Sequence, residues 1–63
     1  MVTMIPKKRR DAVRLIADET GMSTDTAHSM ILMTAALMDL HPDDGRVVQM
    51  ILADCGIEDG EIA

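Results

Sequence analysis

The spacing of apolar positions changes along the chain and predicts one short strand followed by helices. Residues 1–5 mix valine, threonine and isoleucine with methionine, which favours a strand. Pro6 ends this strand and opens a first helix, because proline is tolerated in the first turn of a helix. This helix is predicted to continue to about Thr20. Gly21 ends it, since glycine adopts the left-handed conformation at a helix end without strain.

Two further helices follow. Ser23 or Thr24 is predicted to cap a second helix, which contains no glycine or proline and extends to about Leu40. A third helix is predicted to begin within residues 42–44 and to end at about Cys55, with its apolar residues on one face. The pattern therefore predicts a mainly α fold, in which a short N-terminal strand precedes three helices.

The second half of the second helix is apolar on nearly every side, which a surface helix of a small single chain cannot accommodate. The chain has 63 residues, no aromatic residue and one cysteine, so neither large rings nor an internal disulfide can support a core. We therefore predict an obligate homodimer whose chains share their core. The predicted dimer interface consists of Met30, Ile31, Met33, Leu37 and Met38. An aspartate at Ile31 or Leu37 is accordingly expected to unfold the protein.

Charge is segregated along the sequence. The net charge is −5, yet five of the six basic residues lie between Lys7 and Arg14. Residues 15–63 hold one arginine against ten acidic residues. A small basic face on an otherwise acidic protein is typical of a surface that meets a polyanion. The alternative is that these basic side chains only solvate the start of the first helix.

A set of residues around the first helix falls in the register of a known family. The set consists of Pro6, Val13, Ile16, Ala17, Gly21 and Ser23. With this register, residues 2 to about 38 resemble the ribbon-helix-helix family of the Arc, CopG and MetJ repressors. The resemblance implies an intertwined homodimer, in which two chains pair their strands into a ribbon and interlock their helices. We predict one such domain over residues 1–56. Residues 57–63 are mostly acidic and are predicted to form a flexible tail.

The resemblance also implies a function, that of a homodimeric DNA-binding transcriptional regulator of the repressor type, as found on phages and plasmids. In such a family the ribbon enters the major groove, and the start of the second helix holds a phosphate. The DNA-binding residues implied here are Val2, Thr3 and Met4 on the strand, Lys7, Lys8, Arg9 and Arg10 beside the backbone, and Met22, Ser23 and Thr24 at the second helix.

Two alternatives remain open. The turn at Gly21 is also similar to that of a helix-turn-helix protein, in which Thr24, Asp25, His28 and Ser29 would face the DNA. A different class of function is a small acidic helical module that inhibits or recruits another protein without binding DNA. The acidic balance of residues 15–63 and the methionine-rich second helix favour that class.

Catalysis and metal binding are not expected. His28, His41 and Cys55 lie on three different predicted elements and lack the spacing of metal ligands, so we predict no enzyme, no metal and no cofactor. No run of about 18 apolar residues is present, so no membrane partner is expected. The expected partners are a second copy of the chain, double-stranded DNA and, under the alternative, another protein. A lone thiol and the absence of a signal-peptide pattern favour a cytoplasmic protein.

Overall fold

The computed structural model describes residues 3–57 and 60–62 and has three helices after a short N-terminal strand. The elements are β1 (Thr3–Ile5), α1 (Arg9–Thr20), α2 (Thr24–Met38), α3 (Gly45–Asp54) and β2 (Gly60–Ile62). The mainly helical fold with a strand before three helices is thereby confirmed. Val2, which the sequence analysis assigns to DNA binding, lies outside the described residues.

The turn between α1 and α2 is built as its residues predict. Gly21 has a φ of 78°, and its N–H donates a hydrogen bond of 2.9 Å to the carbonyl oxygen of Ala17. Ser23 then caps α2, because its Oγ accepts a hydrogen bond of 3.2 Å from the backbone N–H of Thr26. These two residues fix where one helix ends and the next begins.

The observed helices are shorter than the predicted ones. The first begins at Arg9 rather than at Pro6, which lies between β1 and α1. The second ends at Met38 rather than at Leu40, because Asp39 adopts the left-handed conformation with a φ of 55°. A short loop from this residue leads to Asp44, whose Oδ1 accepts a hydrogen bond of 3.0 Å from the backbone N–H of Arg46 and so caps α3.

The two strands form a two-stranded parallel sheet, in which Thr3 is paired with Gly60 and Ile5 with Ile62. The strand β2 is not expected from the sequence, whose acidic residues 57–63 predict a flexible tail. In the structure, residues 60–62 lie beside the first strand. The side chain of Ile5 is fully buried, whereas that of Met4 is exposed.

A core forms within the single chain. Among the described residues, eleven apolar side chains are buried, and no polar or charged side chain joins them. They are Ile5, Ala12, Ile16, Ala17, Ala27, Ile31, Ala35, Val47, Val48, Ile51 and Leu52. Small alanine side chains on α1 and α2 pack with a few branched aliphatic residues in this interior. The sharing of a core between two chains stays a prediction.

The helix α2 presents two apolar faces, and only one of them packs inside the chain. Ala27, Ile31 and Ala35 are buried at a spacing of four residues. The opposite side of the helix carries Leu32, Met33, Ala36 and Leu37, all of which are exposed, and we refer to these four residues as the outer face of α2.

This arrangement separates the predicted interface residues into groups. Ile31 belongs to the core of the single chain, and Met30 is half-buried against that core. Met38 is half-buried as well. Leu37 is 86% exposed and Met33 is 66% exposed, so in one chain these two side chains meet mainly solvent. In the single chain Leu37 contributes little to the core, so an aspartate there would act mainly on an interface with a second copy.

Within the described ranges, the structure contains no helix with both the length and the apolar character needed to cross a membrane. The longest of the three helices, α2, has 15 residues, whereas a spanning helix needs about 20.

Candidate nucleic-acid interface

A surface groove of about 820 Å³ runs between the start of α1, the start of α2 and the loop that precedes α3. Its lining combines the basic segment with residues that are distant in sequence. The lining residues are Lys7, Lys8, Arg9, Arg10, Val13, Arg14, Thr24, Asp25, His28 and Asp43. We refer to this feature as the basic groove.

The basic groove concentrates the positive charge of the molecule. Five basic side chains and two carboxylates line it, which is a formal excess of three positive charges with histidine neutral. Because the whole chain carries −5, the remaining residues carry a formal excess of eight negative charges. A polyanion is therefore attracted to one side of the protein and repelled by the rest.

Most of the groove cations are free to meet an external anion. Lys7, Lys8, Arg10 and Arg14 are exposed, and none of them forms an ion pair with another described residue. Arg10 and Arg14 are four residues apart on α1, so both point from the same side of that helix. Together with the two lysines just before α1, they form a cluster of exposed cations in the groove.

The first turn of α2 forms the opposite wall. Thr24, Asp25 and His28 line the groove there. The start of a helix carries a partial positive charge and backbone N–H groups without helical partners, which is the chemistry that holds phosphates. Asp25 lies in this same turn, so its carboxylate stabilises the helix but opposes an anion in the groove.

Arg9 differs from the other groove cations because it already has an acidic partner. Its Nε donates a hydrogen bond of 2.7 Å to Oδ1 of Asp43, which lies 34 residues away in the loop before α3. This hydrogen bond from the guanidinium lowers the pKa of Asp43 below its usual value. On its other side, Oδ2 of Asp43 lies 3.7 Å from Nδ1 of His41, and that ring nitrogen accepts a hydrogen bond of 3.1 Å from the backbone N–H of Asp43.

The sixth basic residue lies outside the groove. Arg46 makes an ion pair with its neighbour Asp44, with 2.7 Å between Nη2 and Oδ2. The hydrogen bonds from the Arg46 side chain and backbone lower the pKa of Asp44 to about 2. Arg46 therefore carries the same guanidinium group as the groove arginines but lies outside the groove and is paired with Asp44. It serves as a control for substitutions of the groove arginines.

The structure brings together part of the predicted DNA-binding set. Lys7 to Arg10 and Thr24 line the groove, and Ser23 caps α2 immediately beside it. Met22 is half-buried and packs against the core. On β1, Met4 is 56% exposed but is not part of the groove lining. The backbone of Thr3 lies in β1, and Val2 is outside the described residues.

Several lining residues were missing from that set. The sequence does indicate Arg14, since this residue belongs to the basic segment and lies about one helical turn after Arg10. Asp25 and His28 were named only under the helix-turn-helix alternative. Nothing in the sequence places Asp43 in this site, because only the folded chain brings its loop to the start of α1.

The described side chains offer no cluster of three or more histidine, cysteine or acidic residues that could hold a metal ion. Comparison with known proteins finds no matching family model, no matching curated protein and no matching solved structure. The features that point to a function are therefore the charge and geometry of the basic groove and the exposed apolar side chains on the outer face of α2.

Proposed function

We propose that this protein is a small homodimeric DNA-binding transcriptional regulator of the repressor type, which holds the DNA backbone in its basic groove. One observation carries the proposal. Four exposed cations, Lys7, Lys8, Arg10 and Arg14, lie together opposite a helix start and have no acidic partner among the described residues. A cluster of four cations matches the repeated phosphates of a nucleic acid better than it matches a single small anion.

The net charge of −5 does not oppose this function at short range. At physiological ionic strength the Debye length is about 8 Å, so a phosphate in the groove experiences mainly the cations that line it. The acidic remainder of the surface repels DNA and thereby restricts binding to one orientation of the protein. Cations in the groove would fix that orientation, and base contacts would come from elements that reach the major groove.

The outer face of α2 supports the homodimer in this proposal. Leu32, Met33 and Leu37 expose apolar surface along one side of a single helix, and a second copy of the same helix is a self-complementary partner for it. A standard interface buries about 800 Å² on each partner, which is about a fifth of the 4124 Å² surface of the chain. The resemblance to ribbon-helix-helix proteins adds a second route. Among the described residues, β1 pairs with β2 along one edge only, and a second copy can join its other edge.

Arg10→Gln tests the proposal against a matched control. We expect this change to weaken binding to a random-sequence DNA duplex about tenfold near 100 mM salt, because a dimer loses two phosphate contacts. Arg46→Gln removes the same charge outside the groove and is expected to change the affinity less than twofold. Fluorescence anisotropy with a labelled duplex measures both variants. An equal loss of DNA affinity in the two variants would show that only the net charge of the protein matters. The basic groove would then not be the DNA-binding site.

A second candidate function is a protein-interaction module, and the outer face of α2 favours it. Exposed methionine and leucine side chains form adaptable apolar surfaces that accept the helix of another protein. In that case Met33 and Leu37 contact the partner, and the cations of the basic groove can be replaced without loss of binding. Retention of partner binding by Arg10→Gln, together with no DNA binding by the native protein, would favour this candidate.

A further inference from the structure

The ion pair between Arg9 and Asp43 lies inside the basic groove and leaves one of its five cations neutralised. Both residues line the groove, and their side chains are 36% and 46% exposed. The pair is therefore open to solvent, and an external anion can reach it. In the described part of the chain, no other groove cation has an acidic partner of this kind.

The chemistry of the guanidinium makes the partner of Arg9 exchangeable. Arginine binds carboxylate and phosphate oxygens through the same N–H donors, and both are oxyanions that accept charge-assisted hydrogen bonds. An exposed ion pair is weak because water and salt screen it. A phosphate of a bound nucleic acid, held by the neighbouring cations, therefore competes with the carboxylate on favourable terms.

We infer that Arg9 and Asp43 form an exchangeable oxyanion site, in which a backbone phosphate of the bound DNA replaces the Asp43 carboxylate on Arg9. This inference depends on the proposed function. In the free protein Asp43 occupies the place of that phosphate and acts as an internal competitor. After the exchange its carboxylate remains next to His41, the neighbour that already lies 3.7 Å from its second oxygen.

Asp43→Asn tests this inference, with Asp18→Asn as the matched control. Both changes remove one negative charge, but Asp18 is an exposed residue of α1 outside the groove lining. We expect Asp43→Asn to lower the Kd for a random-sequence duplex about threefold to tenfold, because the competitor is gone and a local repulsion is relieved. Asp18→Asn is expected to change the Kd less than twofold. Thermal unfolding of both variants, followed by circular dichroism, verifies that they remain folded.

A double variant shows whether the effect passes through Arg9. In an Arg9→Gln background, Asp43→Asn is expected to change the Kd no more than Asp18→Asn does, since no guanidinium remains to be released. A gain that persists in full in this background would overturn the inference. Native protein that binds DNA while Asp43→Asn and Asp18→Asn give the same Kd would also overturn it and leave the proposed function standing. An absence of binding by the native protein and by Asp43→Asn would overturn both proposals.

Discussion

Replacing Ile31 with aspartate is expected to leave the chain unfolded at room temperature. The Ile31 side chain is fully buried between the helices, within a core that contains no polar side chain among the described residues. Removing a buried isoleucine alone costs about 2 to 5 kcal/mol, and an unpaired carboxylate adds a desolvation cost of several kcal/mol more. A domain of this size has a total stability of only about 3 to 9 kcal/mol.

Far-UV circular dichroism measures this outcome, since the helical signal is expected to disappear. Ile31→Val is the control, because it keeps the apolar contact and is expected to cost about 0.5 to 1.5 kcal/mol while the protein stays folded. A folded Ile31→Asp variant with a native melting temperature would contradict the position of Ile31 in the core of the single chain.

Leu37→Asp is expected to have a different effect, in which the chain stays folded but the dimer dissociates. Leu37 is 86% exposed in the single chain, so its replacement removes little of the core. In the proposed dimer the same side chain lies against its copy on the outer face of α2, where two facing aspartates repel each other and lose their solvation. Monomers would then make half the number of phosphate contacts, and DNA affinity would fall by more than tenfold.

Two measurements on one sample distinguish dissociation of the dimer from unfolding of the chain. Sedimentation equilibrium is expected to give the mass of one chain for Leu37→Asp and twice that mass for the native protein, while circular dichroism shows unchanged helicity. Ala53→Asp adds the same charge at an exposed position of α3 and is expected to remain dimeric. If Leu37→Asp stays a dimer, the outer face of α2 is not the interface. If it unfolds, Leu37 contributes to a core that two chains share.

The local structure of this protein is well specified by its sequence, because the signals at helix ends are short-range. Gly21 adopts the left-handed conformation because it lacks a Cβ atom, and Ser23 caps α2 through its hydroxyl group, as these residue types predict. The apolar pattern predicts that α2 extends to Leu40, two residues beyond its observed end, where an aspartate rather than a glycine takes the left-handed conformation at position 39. An aspartate in that role is less common than a glycine, so it is a weak sequence signal for the end of a helix.

The longer-range features could not be predicted from spacing. The second strand has only three residues, one of which is Gly60, and it is held by pairing with Thr3–Ile5 at the other end of the chain. Within the site, the basic segment was visible in the sequence, but the meeting of Arg9 with Asp43 depends on how α3 and its loop pack beside α1. The outer face of α2 could not be predicted either. The sequence pattern shows that this helix is apolar on nearly every side, but it does not show which side packs inside the chain.

Binding of a random-sequence DNA duplex across a salt series shows whether the basic groove holds backbone phosphates. A dimer that makes about six phosphate contacts is expected to show log K falling with log salt at a slope near −5. We expect this steep dependence in fluorescence anisotropy between about 50 and 200 mM salt. No binding at the lowest salt concentration, or an affinity that does not change with salt, would contradict it.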